Sequence, residues 1–330
     1  MPRSPREPLA GAPASTGIEV RVLEADDGAA GVQRFLAAAE EDVDGPVVDE
    51  SEEERLRALL NGEPRPASWR SALLRSGEAE VAYVAIVLPY EERSVIATGD
   101  AVVRRRLRDP DAVTAAALQV ARELAAGTDV RALQLWIRSV GPAELDGIEV
   151  AGGAVERELL VLARSLPAAD AAGRQALEEL WGSGGRIRSY VPDRDDAAVV
   201  AVLAEAYEGT DDDGWDLDRL AARRRYAWFD PEDLLLAEDA EGRVLGLHWL
   251  KPRGGGEGEV YNLAVRPGAQ GRQLGPALLQ AGLDHLADLG CDRVLLWVDA
   301  ANTRAVRLYQ RHGFSVRSTD VAVGLDVHNG

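Results

Sequence analysis

Residues 259–278, EVYNLAVRPGAQGRQLGPAL, hold the segment of this chain best suited to grip an anion. An apolar run ends at Val265, Pro267 turns the chain, and Gln270, Gly271, Arg272, Gln273, Leu274 and Gly275 form a loop that passes into a helix at about Leu274. A strand that feeds such a loop into a helix N-terminus aims successive backbone N–H groups, and about half a positive charge from the helix dipole, at a phosphate. Glycine there permits positive φ and close approach, and Arg272 adds a charge-assisted contact. Taken alone the loop is a weak signal. Two further features accompany it. In ANTRAVRLYQRHGF (301–314), Asn302 stands at a helix cap, Tyr309 lies one turn from the helix end, and Gly313–Phe314 lead into the next strand. Glu259 opens the strand before the loop. A carboxylate can accept a proton, and a phenol, neutral at pH 7, can donate one.

The elements that must position these residues follow from periodicity. In the C-terminal half, IRSYV reads as a strand, DRDDAAVVAVLAEAYEG as an acid-capped helix and WDLDRLAARRRYAW as another helix. DLLLAED and RVLGLHWLK read as a hairpin, GEVYNLAVRP as a strand and LGPALLQAGLDHLADLG as an amphipathic helix stopped by Gly290. CDRVLLWVD, NTRAVRLYQRHG and FSVRSTDVAVGL then give strand, helix, strand. The N-terminal half runs in similar order. IEVRVL is a strand, and GVQRFLAAAEE and SEEERLRALL are helices. Residues 79–90 and 93–103 are strands, and residues 109–127 form a helix capped by Asp109. Residues 131–140 and 155–166 are strands. No short-period repeat exists; the likeness of the halves is one of pattern.

The loop, Glu259 and the Asn302–Phe314 helix together resemble the GNAT superfamily of N-acetyltransferases. That family's loop reads Gln/Arg-x-x-Gly-x-Gly/Ala and binds the pyrophosphate of coenzyme A; here Gln273 stands where a glycine is usual, and its Cβ would crowd a phosphate. WFDP (228–231), His248, Trp249 and Lys251, and GEVY (258–261) sharpen the resemblance to the mycothiol synthase family, built of two fused GNAT domains. Asn262 departs from the apolar residue expected there, and AYEGTDDDGW (206–215) lacks a His-Pro pair. The resemblance implies an α/β fold with a mixed sheet in two tandem GNAT-like acyltransferase domains. It implies an acetyl-CoA-dependent N-acetyltransferase acting on the cysteinyl amine of Cys-GlcN-inositol. Two other readings stand beside it: a GNAT enzyme for another small amine or a protein N-terminus, and a non-catalytic acyl-CoA sensor.

The resemblance also implies roles. Glu259 is the general base, with Glu257 two residues away as its rival. Tyr309 is the general acid for the departing thiolate. Leu263, Ala264 and Val265 hold acetyl-CoA, Leu263 and Val265 through their backbone, with the loop residues 270–275 and Asn302. His248, Trp249, Lys251 and Glu257 line the acceptor pocket. The N-terminal counterpart of the loop, in GDAVVRRRLRDPDAVTAAAL (99–118), has Arg104, Arg105, Arg106 and Arg108 but no glycine, and residues 141–157 lack the Asn…Tyr…GlyPhe pattern. That half reads as a degenerate GNAT repeat. The expected layout is a disordered tail over 1–16, a degenerate domain over 17–167, a linker over 168–185 and a catalytic domain over 186–330.

Composition limits the alternatives. The 330 residues suit two domains, and 46% apolar residues suffice for their cores. A net charge of −19 argues against a nucleic-acid partner and against an anionic membrane surface. No apolar run approaches the ~20 residues that span a bilayer, and residues 1–16 lack the apolar core of a secretory signal, so a cytoplasmic location is expected. The single cysteine, Cys291, permits no internal disulfide and reads as a core thiol in a buried strand. Four histidines without ligand spacing leave a metal unexpected. The expected partners are a small amine and acetyl-CoA.

Overall fold

The structure, a computed structural model, describes residues 17–23, 29–43, 46–48, 50–89, 95–105, 107–166, 185–210 and 212–327. The tail over 1–16, Arg106 and all of the 168–185 linker except Gly185 lie outside the described residues. The chain divides into two compact units. The first comprises Met1–Leu160, Asp299–Ala301 and Ser318–Gly330; the second comprises Val161–Val298 and Asn302–Arg317.

The first unit contains β1 (Ile18–Val22), α1 (Ala29–Val43), α2 (Glu50–Leu60), β2 (Trp69–Ser76) and β3 (Ala79–Val87). It continues with β4 (Ile96–Val103), α3 (Pro110–Ala125), β5 (Ala132–Ile137), α4 (Pro142–Val150) and most of β6 (Ala154–Ser165). Its sheet runs β1-β2-β3-β4-β5 and then takes Val321–Asp326 of the chain's last strand, antiparallel to β5. Side chains of β3 alternate between two cores, as the period of a strand requires. Ala82, Val84 and Ile86 pack with Leu118, Leu124 and Val113 of α3. Tyr83 and Ala85 pack with Phe35 and Leu36 of α1 and Leu56 of α2. Helices thus cover both faces of a mixed sheet.

The second unit contains β7 (Arg186–Ser189), α5 (Asp196–Tyr207), α6 (Leu217–Arg223), β8 (Leu234–Glu238), β9 (Val244–Gly254) and β10 (Glu257–Val265). Then follow α7 (Leu274–Asp288), β11 (Arg293–Asp299), α8 (Thr303–Arg311) and the start of β12 (Ser315–Asp326). The strand order is β7-β8-β9-β10-β11, antiparallel except for β10 with β11. Leu278, Leu279 and Leu283 bury one face of α7. On the other face of the sheet Val199, Val202 and Leu203 of α5 meet Leu236, Leu247, Trp249 and Ala264.

Most expected elements form, with three differences. The strand β2 and the helix α4 have no counterpart in the sequence reading. WRSALLRS is buried at five of its eight positions, four of them consecutive, so it shows no alternation. PAELDGIEV carries its own start signal, because Glu144 accepts the Gly141 N–H at 2.9 Å. The helix expected over WDLDRLAARRRYAW ends at Arg223. Cys291 lies in the turn before β11 and is half-buried, so it is not a strand-core thiol; burial still pushes its pKa up.

Candidate active site

Two irregularities in β10 shape the site. Its parallel pairing with β11 covers only Glu257↔Arg293, Gly258↔Val294 and Glu259↔Leu295. Beyond Glu259 the two strands part. On the other side, the register with β9 slips between Val260 and Asn262, so Tyr261 is the extra residue of a β-bulge. Arg266 donates its N–H to Leu245 C=O of β9. By strand alternation the N–H groups of Leu263 and Val265 point the opposite way, into the opening left by β11. Ala264 puts its methyl into the core.

The loop after β10 begins with a 3-10 turn over Pro267–Ala269. Gly271 and Gln273 then adopt φ +80° and φ +62°. Gln273 is the N-cap of α7 in a left-handed conformation, and no side chain caps this helix. The first amides of α7 therefore have no intrahelical acceptor and no capping side chain among the described residues. Gly275 has open space where a Cβ would stand, with Leu308 at 3.9 Å as the nearest atom. Arg272 is exposed and makes no ion pair among the described residues. Leu274 is core. Gln270 ties the loop down: its Nε2 donates to Val265 C=O at 3.2 Å, and Arg304 at the start of α8 donates to its Oε1. Asn302 caps α8 by accepting the Ala305 N–H at 3.1 Å. These features fit a pyrophosphate-bearing ligand: a parted strand edge, two left-handed loop residues, a helix start without a cap and an exposed guanidinium.

Tyr309 is buried on α8, edge-on to Phe314 with ring centroids 5.6 Å apart. Burial pushes its phenol pKa up, so the hydroxyl is held protonated. Glu259 is 7% exposed. Its Oε2 accepts from Arg253 Nη1 at 2.5 Å, and Lys251, its cross-strand partner, lies 3.9 Å from the same oxygen. Aromatic rings flank both cations. Lys251 Nζ is 5.1 Å from the Trp228 centroid and 6.0 Å from that of Tyr261; the Arg253 guanidinium is 5.7 Å from Trp297. Glu257 shares the face of Glu259, because Gly258 between them faces Leu286 of α7. Its carboxylate lies 2.8 Å from Arg293 and 3.8 Å from Arg317.

Of the four residues expected to line an acceptor pocket, Lys251 and Glu257 stand beside Glu259. His248 and Trp249 do not offer a surface; both are fully buried. His248 points to α7, its Nδ1 2.8 Å from Leu278 C=O, and Gly282 leaves the room it occupies. Burial lowers its pKa to about 4. Trp249 is the centre of an aromatic cluster with Trp215, Trp228, Phe229 and Tyr261. A strand covered on both faces shows large residues without alternation, which a pocket wall also would. Arg253 and Trp297 carried no expectation from the sequence, and Trp228 and Tyr261 entered only as members of WFDP and GEVY, not as site residues. A signal for Arg253 was present: a three-glycine turn at 254–256 folds KPR back on EGE.

The first unit differs at the equivalent place. There β4 pairs with β5 over five residues, Ile96↔Ala132 to Asp100↔Trp136, and with β3 in unbroken register. No described residue between Arg104 and Pro110 has positive φ. The pairing thus runs two residues further than in the second unit, which leaves only Ala101–Val103 of β4 without a β5 partner, and no left-handed loop residue follows among the described residues.

Residues 198–314 match the model of the GNAT acetyltransferase family. A mycothiol acetyltransferase of Stackebrandtia nassauensis is 43% identical over 196 residues, 58% of this chain and 62% of the relative. One of Streptomyces avermitilis is 34% identical over 282 residues, 80% of this chain and 86% of the relative. The chain thus spans less than two thirds of the first relative and most of the second. Among solved structures, a GCN5-related N-acetyltransferase from Sphaerobacter thermophilus superposes with TM-score 0.65 at 24% identity, covering 95% of this chain and 96% of that one. A tandem GNAT protein of the clavulanic acid pathway gives TM-score 0.65 at 16% identity, covering 95% and 99%. Both share the fold over nearly the whole of each chain, and the second is a tandem GNAT protein.

Proposed function

Since the chain belongs to the mycothiol acetyltransferase family, we propose that it transfers the acetyl group of acetyl-CoA to the cysteinyl amine of Cys-GlcN-inositol. One observation carries the catalytic reading. Glu259 is the last residue of β10 that pairs with β11, so its carboxylate stands where the strand edge opens. Acetyl-CoA supplies an activated acetyl thioester. The loop from Gln270 to Gly275, with Arg272, holds its pyrophosphate, and Asn302 borders that loop. The N–H groups of Leu263 and Val265 receive the pantetheine arm and polarise the thioester carbonyl.

The acceptor amine, with a reference pKa near ~8, arrives largely as ammonium. Glu259 accepts its proton, directly or through a water, and the neutral amine attacks. Tyr309 donates its hydroxyl proton to the departing thiolate. Glu257 and Lys251 border the acceptor. The catalytic domain lies within residues 186–330, of which Asp299–Ala301 and the stretch from Ser318 onward belong to the first compact unit, and the protein works in the cytoplasm.

The test is product formation followed by mass spectrometry, because the acceptor's own thiol masks thiol release. The expected result is N-acetylation of Cys-GlcN-inositol in the presence of acetyl-CoA. Turnover on other amines with none on this one would replace the acceptor. Coenzyme A binding without any turnover would make the protein a sensor.

A further inference from the structure

We propose that Arg253 is a positioning residue for Glu259: its guanidinium aims the carboxylate into the fork between β10 and β11 and holds it as a proton acceptor. The proposal rests on the reading of Glu259 as the base. Arg253 is the extra residue of a second bulge, because Gly254 pairs with Glu257 and Pro252 with Gly258. In a regular register residues 251 and 253 would share a face with Arg253 opposite Glu257; the bulge instead sets Arg253 between the Gly258 and Glu257 pairs, nearer Glu259, and both cations reach one oxygen. Arg253 Nη1 lies 2.5 Å from Glu259 Oε2 and Lys251 Nζ lies 3.9 Å from it.

A buried carboxyl group drifts toward its neutral form, which accepts no proton, unless cations and hydrogen bonds offset the lost hydration. The Glu259 side chain is 9% exposed and that of Arg253 17%. Glu257, the nearest acidic group on the same strand, has its charge offset by Arg293 and Arg317. Among the described residues, the charged groups facing Glu259 include Lys251 and Arg253 on β9, with Glu257 and its two arginines beyond them. Trp297 of β11 supports the Arg253 guanidinium, so the cation spans the point at which the strands part. The planar fork of arginine fixes direction as well as charge, which a lysine cannot do.

The test compares R253Q and R253K with the wild type in the full chain, with acetyl-CoA and Cys-GlcN-inositol, across the pH range. In R253Q the acidic limb of kcat/KM for the amine is expected to move up by about one pH unit, as for loss of an adjacent opposite charge. The rate at neutral pH should fall about tenfold through misorientation, with the KM for acetyl-CoA little changed. R253K should return the limb and recover only part of the rate. An acidic limb that stays in place in R253Q overturns the proposal, as does an R253K variant no better than R253Q. E259Q separates the two levels. If E259Q is inactive and the R253Q limb is unmoved, the positioning role alone fails. If E259Q keeps the wild-type rate, Glu259 is not the base and the proposal falls with it.

Discussion

Replacing Gln273 with glycine removes a Cβ from a residue held at φ +62° and ψ +11°. The left-handed region costs a non-glycine residue about 1–2 kcal/mol, because Cβ approaches the following carbonyl oxygen. Glycine avoids that clash but loses about 0.5–1 kcal/mol more conformational entropy on folding. The difference favours Q273G by about 0.5–1 kcal/mol, or roughly 1–4 °C in the melting temperature of a unit this size. Gln273 is exposed and caps nothing, so no folded-state contact opposes the gain. The same Cβ sits on the N-cap residue, next to the amides that start α7, where a pyrophosphate would approach. Removing it should tighten coenzyme A binding by about threefold, or ~0.7 kcal/mol. Calorimetric melting and titration with coenzyme A measure the two effects. Q273A is the control: it keeps the Cβ, so it should gain neither stability nor affinity. A Q273G protein that melts below the wild type, or melts with Q273A, refutes the strain argument. A Q273G affinity equal to or weaker than wild type refutes the crowding argument and leaves the strain argument standing.

Burial lowers the pKa of His248 to about 4, against ~6.5 in an unfolded chain. The folded state therefore binds fewer protons between these values, and stability is complete above about pH 6.5 and falls as pH drops toward 4. The shift corresponds to about 3 kcal/mol, and H248N should abolish that slope in melting curves taken against pH; an identical slope in the variant assigns the acid sensitivity elsewhere. Gly282→Ala would place a Cβ 2.1 Å from His248 Nδ1, so denaturant unfolding should show a loss of about 1–3 kcal/mol from overpacking, and a neutral result would mean the ring can move aside. Y309F should lower kcat by about 10²–10⁴-fold without changing the melting temperature, since the ring and its contact with Phe314 are kept; wild-type turnover would remove Tyr309 as the acid.

What was legible in the sequence was local. The loop from Gln270 to Gly275, the Asn302 cap and the helix carrying Tyr309 announce themselves within a few residues, because caps, turns and helical faces are set by neighbours in the chain. The features that turn this segment into an opened edge are not local. Whether β10 stays beside β11 after Glu259, and whether Tyr261 and Arg253 are counted out of register, depends on strands brought together only by folding. Burial hid other things. His248 and Trp249 occupy adjacent positions on β9 yet face opposite cores, one against Gly282 of α7 and the other within the aromatic cluster. Residue type alone suggests a polar pocket wall at both. Register explains the contrast with Lys251, two residues further on, which is also buried but has Glu259 directly across from it. In the second unit, then, chemistry is set by which strand positions lose their neighbours, and the first unit makes the same point in reverse. There β4 keeps five paired residues with β5 and an unbroken register with β3. The arginines Arg104, Arg105 and Arg108 that follow it bring positive charge to a loop whose strand has only Ala101–Val103 beyond its pairing with β5. Charge beside a shorter free edge, with no left-handed loop residue among those described, gives an anion fewer N–H groups to meet, which is the physical content of calling that repeat degenerate.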